Sequence, residues 1–162
     1  MSIDPQMSVK IIGSALSGKG AHVLANQVFE GLGWKPAGTR LEGAPHTIFQ
    51  LLNHIAYWQE WVVKWLDGKP PAIPKHASGS WPGEAAPTSS REWKAAVRRF
   101  KKGLEDLTRR SHSAEIESKR RGKSPLEMLL TIASHNSYHL GQVVQLRQML
   151  DAWPPPSGGL TW

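Results

Sequence analysis

Apolar residues recur at three- and four-residue spacing in four stretches of the chain, and that period predicts four helices. The first predicted helix lies between Ser8 and Leu32 and carries Ile11, Ile12, Leu16, Val23, Leu24, Val28 and Phe29. Gly18 and Gly20 are expected to break or bend it, because glycine loses the most backbone freedom on entering a helix; Gly31 and Gly33 should stop it. The second runs from Thr47 to Asp67, with Ile48, Leu51, Leu52, Ile55, Val62 and Leu66 on one stripe. Its opening, Thr47-Ile48-Phe49-Gln50, has the form of a capping box, in which the Thr oxygen and the Gln side chain each satisfy an orphan backbone amide. Gly68 ends it, and Pro70-Pro71 cannot continue it.

Residues 69 to 88 are a connection rich in Pro, Gly and Ser. Ser89-Ser90-Arg91-Glu92 again reads as a capping box and opens a third helix, where Trp93, Val97, Phe100, Leu104 and Leu107 alternate as the seam of a bundle helix does. Ser124-Pro125-Leu126-Glu127 starts the fourth, with Ser as cap, Pro at the first position and Glu at the third. That helix is expected to reach about Leu150. Residues 153–162 then form an irregular tail docked by Trp153 or Trp162. No stretch alternates with period two, and nothing repeats internally. The pattern predicts a single all-α domain over residues 1–162, a four-helix bundle. The long crossover between the second and third helices permits those two to run parallel, in an up-down-down-up order.

A chain of 162 residues, 40% hydrophobic and 20% charged, can bury a core without staples. It has no Cys, so disulfides, thiolate ligands and a Cys nucleophile are excluded, and any metal must be held by His, Asp or Glu. No apolar stretch approaches the roughly 20 residues that span a bilayer. The first six residues carry no signal-peptide pattern, so a cytoplasmic protein is expected, with Met7 an alternative natural start. The net charge of +7 raises nucleic acid as a partner. Much of it lies in Arg98-Arg99, Lys101-Lys102, Arg109-Arg110 and the run Lys119-Arg120-Arg121-Gly122-Lys123, which read as a solvated helix face and loop rather than a specific nucleic-acid site.

Chemistry concentrates on histidine. His135 and His139 are four apart on the fourth helix, so both imidazoles stack on one face and can reach one ion. With Gln142 and Leu146 they form a stripe beside Ile132 and Val143, which turns them toward the core. The bland reading is a pair of core histidines satisfied by hydroxyls or carbonyls. Zincin chemistry would need Glu directly after the first His, and that position is Asn136. His54 shares a face of the second helix with Leu51, Trp58, Trp61 and Trp65, and offers a third ligand. Three neutral imidazoles with an open position are the arrangement of catalytic zinc sites. Trp58, Trp61 and Gln142 are candidates to line the pocket, with His22 at its rim. His46 belongs to the cap region, and His76 and His112 lie in loops.

At these residues the chain resembles the DinB/YfiT-like superfamily of metal-binding four-helix bundles. The similar pieces are residues 45–54 (Pro-His-Thr-Ile-Phe-Gln-Leu-Leu-Asn-His), residues 135–142 (His-Asn-Ser-Tyr-His-Leu-Gly-Gln), residues 18–22 and residues 152–155. The resemblance implies an up-down-down-up bundle with one divalent ion held by His54, His135 and His139, often in a homodimer. It also implies, for some relatives, S-transferase or isomerase chemistry with low-molecular-weight thiols. The expectation is therefore a metal-dependent enzyme, with zinc or nickel as cofactor because imidazole suits both. Its partner would be a small-molecule substrate, with neither membrane nor specific nucleic acid involved. The alternatives are a non-catalytic, metal-stabilised nucleic-acid-binding or stress-response module and a metal-dependent hydrolase.

Overall fold

The computed structural model describes residues 5–112 and 122–159. The expectations for residues 1–4, for Lys119, Arg120 and Arg121, and for docking by Trp162 lie outside the described residues. Within them the architecture is all-α: α1 (Pro5–Ser17), α2 (Trp34–Ala37), α3 (Ile48–Leu66), α4 (Ser90–Arg110) and α5 (Pro125–Met149), with short 3-10 turns at Ala25–Gln27 and Ala77–Ser80. Among the described residues four of the helices are long, and no helix is long and apolar enough to cross a membrane.

The capping chemistry sets the starts of α3 and α5. Thr47 and Ser124 each accept from the backbone N–H three residues on, and Gln50 and Glu127 reach back to the cap amides. The start of α4 differs from the capping box expected at Ser89. Ser89 Oγ accepts from Glu92 N–H. The Glu92 carboxylate, however, turns to the backbone N–H and hydroxyl of Thr88, both at 2.6 Å, because the hydroxyl adds a second donor.

The first predicted helix is the main correction. Instead of running from Ser8 to Leu32, α1 starts at Pro5 and stops at Ser17. Gly18 and Gly20 take left-handed φ of 75° and 83°, so the chain turns out of the helix rather than bending within it. The His22 ring folds back over Gly18 and fills the space that a side chain there would need. Val23, Val28 and Phe29 are still buried, carried in by an irregular segment.

Packing around α3 makes two apolar clusters, one toward each end of the helix. Its contacts are with α4 and α5, and α1 contacts α5 and α4. Toward one end Ile48, Leu52, Ile55, Phe29, Phe100, Leu140 and Val143 form a core; toward the other Val62, Trp65, Ile12, Leu16, Leu107, Leu129 and Ile132 do so. His54 and the His135/His139 pair lie on the facing stripes of α3 and α5. α4 approaches α3 closely at Gly103, where an added Cβ would run into the Gln59 side chain. Gln59 is fully buried and cannot swing clear. Gly103→Ala should therefore cost about 1–3 kcal/mol as an overpacked core does, although alanine is the better helix former. An unchanged urea midpoint would contradict this contact.

Candidate metal centre

His54 sits two turns into α3, flanked by buried Leu51 and Ile55, and this apolar stripe commits its ring to the interior. His135 and His139 lie one turn apart on α5, between Ile132 and Val143. The three rings meet. Their centroids are 4.5 Å apart for His135–His139, 4.8 Å for His54–His139 and 5.1 Å for His54–His135. One ligand nitrogen from each lies within 4.8 Å of the others, and no other group of three such side chains occurs among the described residues.

Hydrogen bonds to the far ring nitrogens decide what those rings offer. His54 Nδ1 is 3.1 Å from the Ser80 carbonyl, which can only accept, so the His54 proton sits on Nδ1 and Nε2 presents a lone pair. His139 Nδ1 donates to Gln142 Oε1 at 2.7 Å, with the same consequence for its Nε2. His135 Nε2 is 3.2 Å from His54 Nε2. Burial lowers the pKa of all three, reinforced at His54 and His135 by neighbouring imidazoles; these two fall to about 4. Near neutral pH the cluster is thus three uncharged imidazoles, two with lone pairs aimed inward. That is a donor set for a divalent ion, whose histidine ligands must be neutral and are held by such outer acceptors.

The surroundings differ from expectation in one residue that the sequence did not single out. Trp81, in the connection between α3 and α4, stacks on His54 with centroids 3.8 Å apart and planes 5° apart. On its other face His46 stacks at 3.6 Å. Ser80, which fixes the His54 tautomer, precedes it. The connection is therefore part of the site, although only its composition was legible and its aromatic gave no periodic signal. His46 joins this stack rather than serving only as the residue before the Thr47 cap.

Trp58 lies edge-on to His54 and His135, at 6.5 and 6.4 Å, and Trp61 packs against Trp58. Gln142 holds His139 and also lines a cavity of about 300 Å³ with Glu42, His46, Leu51, Leu146 and Met149. Trp58 and Trp61 do not line that cavity. His22 is placed elsewhere: Nδ1 meets the Val23 carbonyl at 2.7 Å and Nε2 meets Ser137 Oγ at 3.1 Å. Glu60 is tied to Arg99 at 2.5 and 2.7 Å, so its carboxylate is engaged away from the imidazoles.

The depressed histidine pKa values give a pH prediction for the ion-free protein. The unfolded chain takes up protons at His54 and His135 near 6.5, but the folded chain does so only near 4. The unfolded state therefore binds more protons in this window, so stability is complete above pH 6.5 and is lost as pH falls toward 4. The melting temperature should already drop between pH 6.5 and 5, above the range where the carboxylates titrate. A flat profile there would show that the rings are solvated.

No curated protein and no solved structure matches the chain. The family model described as the DinB superfamily matches residues 22–143, a span that contains His54, His135 and His139 and about three quarters of the chain. The chain belongs to the DinB superfamily.

Proposed function

We propose that this protein is a divalent-metal-dependent enzyme of the thiol S-transferase type, with zinc or nickel held by His54, His135 and His139. The observation that carries the reading is the convergence of three neutral imidazoles, with the outward nitrogens of His54 and His139 fixed by Ser80 and Gln142. An ion bound there would act as a Lewis acid and bring the pKa of a coordinated thiol toward neutrality. Three protein ligands leave a coordination position for substrate. Ser80 and Gln142 orient the rings, Trp81 and Trp58 keep water from their faces, and the cavity beside Gln142 has room for a small molecule. Thiol transfer and a homodimer come from the family likeness.

The same reading includes a four-helix bundle in up-down-down-up order. Ion pairs Glu60–Arg99 and Asp67–Arg110 occur in the same sequence along both helices, which favours parallel α3 and α4. His54 meets His135 and His139 while Val62 and Trp65 share a core with Leu129 and Ile132, which favours antiparallel α3 and α5. Leu16 in that core and His22 on Ser137 favour α1 running with α5.

Hydrolysis ranks below transfer because no Asp or Glu joins the histidine group among the described residues. A nucleic-acid module ranks below both. Part of the basic face is already engaged, with Arg99 on Glu60, Lys102 and Arg109 on Asp106, and Arg110 on Asp67. The test is a screen of metal-loaded protein against small thiols and electrophiles, before and after chelation. Thiol-dependent turnover should disappear on chelation and return with metal, while the melting temperature falls without loss of helical signal. Collapse of the helices on chelation would indicate a structural ion, and turnover of esters or amides without thiol would indicate a hydrolase.

A further inference from the structure

Imidazoles that share one ion each need an acceptor for the ring nitrogen facing away from it, because that bond fixes tautomer and ring rotation. His54 and His139 have theirs in Ser80 and Gln142. His135 does not: its Nδ1 is buried without a hydrogen-bond partner. The next residue, Asn136, is 1% exposed, and both atoms of its amide are also unpartnered. A buried primary amide with neither end satisfied is costly and asks for an explanation. Asn136 follows His135 directly on α5, and its amide lies beside that ring. No hydrogen bond of good geometry joins them.

The 3.2 Å contact between His54 Nε2 and His135 Nε2 supplies the reason for two roles. His54 carries its proton on Nδ1, so its Nε2 can only accept. In the ion-free protein His135 must place its own proton on Nε2 to complete that contact, which leaves His135 Nδ1 a bare acceptor. For all three Nε2 lone pairs to face one ion, His135 Nε2 gives its proton to water and Nδ1 takes one from water. The ring stays neutral, and its Nδ1–H now needs an acceptor. An amide has a donor and an acceptor of nearly equal shape, and half a turn about its last bond exchanges them.

We infer that Asn136 is a positioning residue for His135: from the unpartnered pose seen here, rotation of its amide lets Nδ2 donate to the bare Nδ1 without an ion, or Oδ1 accept from Nδ1–H once an ion is held. The inference rests on the metal reading above. It also gives the position after the first histidine, where a zincin has its general base, a different role: a buried amide that reaches metal only through the neighbouring ring.

The test compares the unaltered protein with Asn136→Asp and Asn136→Leu, side chains of similar size that only accept or do neither. Zinc affinity is measured by competition with a chromophoric chelator, and ring tautomers by nitrogen-15 NMR of the histidines. In the unaltered protein the His135 proton should sit on Nε2 without ion and on Nδ1 with zinc. Asn136→Leu should lower zinc affinity by about 10- to 100-fold, as loss of a ligand's hydrogen-bond partner does. Asn136→Asp should restore affinity and hold the proton on Nδ1 even without ion. This rescue pattern and the tautomer shift would not follow from core packing alone, and they carry the test if the Leu variant fails to fold. Tight zinc binding by the unaltered protein together with equal affinity in Asn136→Leu, or a His135 proton on Nδ1 before zinc is added, would overturn the inference and leave the metal site standing. No zinc binding by the unaltered protein would overturn both.

Discussion

Replacing His135→Ala and His139→Ala together is expected to abolish stoichiometric binding of zinc and nickel. The two rings supply two of the three converging nitrogens. What remains is His54 alone, whose Nε2 would face a cavity with no charged partner. A lone imidazole cannot hold an ion against water at micromolar concentrations, whereas a three-ligand site can. His54→Ala alone should cost more than about 100-fold in affinity, beyond the roughly 10- to 100-fold typical of outer hydrogen-bond partners. His22→Ala is the control. Its ring is spent on the Val23 carbonyl and Ser137, so affinity should be unchanged. Isothermal titration of the four proteins checks this, and full occupancy surviving the double substitution would remove α5 from the site.

Arg147→Ala should be the most destabilising single change outside the histidine cluster. The residue is 2% exposed, and burial pushes the pKa of its guanidinium down. Its donors go to three backbone carbonyls: Ala152 at 2.9 Å, Val28 at 2.5 Å and Glu30 at 2.9 Å. The same group lies 5.3 Å from the Trp153 ring centroid. One side chain thus ties the irregular segment after α1 and the tail after α5 to the end of the last helix. Truncation strands one buried and two half-buried acceptors and opens a cavity, at a total of about 3–5 kcal/mol. That is a large fraction of the roughly 5–15 kcal/mol that holds a domain folded. Arg147→Lys should recover little, because one ammonium cannot serve three separated carbonyls as a planar fork does. Urea unfolding measures both; a loss under 1 kcal/mol for the alanine variant would show that the segment and tail are held by other contacts.

These two expectations differ in how far the sequence foretold them. The histidine pair and His54 were legible because helical spacing places them among apolar neighbours, and because α3 and α5 begin at unambiguous caps. Thr47 and Ser124 each cap their helix through bonds to residues three positions on, although the Thr47 hydroxyl also donates to the distant Ala85 carbonyl. Arg147 was not legible. An arginine in the last turn of a helix ordinarily answers the helix dipole in water, and the carbonyls that bury this one come from residues 28, 30 and 152. Trp81 was missed for a related reason: a tryptophan in a Pro/Gly/Ser-rich connection carries no period, and only the folded path of residues 77–81 sets it on His54. The first helix was drawn too long because Val23, Val28 and Phe29 continue an apolar pattern. Burial requires apolar residues but not a helix to present them, and Gly18 and Gly20 at positive φ decided the matter.

The proposed chemistry depends on three neutral imidazoles forming one open divalent site. Metal analysis of the full chain decides this, with protein purified without a metal-affinity step and equilibrated with limiting zinc or nickel against a competing chelator. One ion per chain is expected, together with an absorption spectrum of the cobalt-substituted protein that changes when a small thiol is added, because a coordination position stays free for it. Absence of a stoichiometric ion, or a cobalt spectrum indifferent to every exogenous ligand, would contradict it.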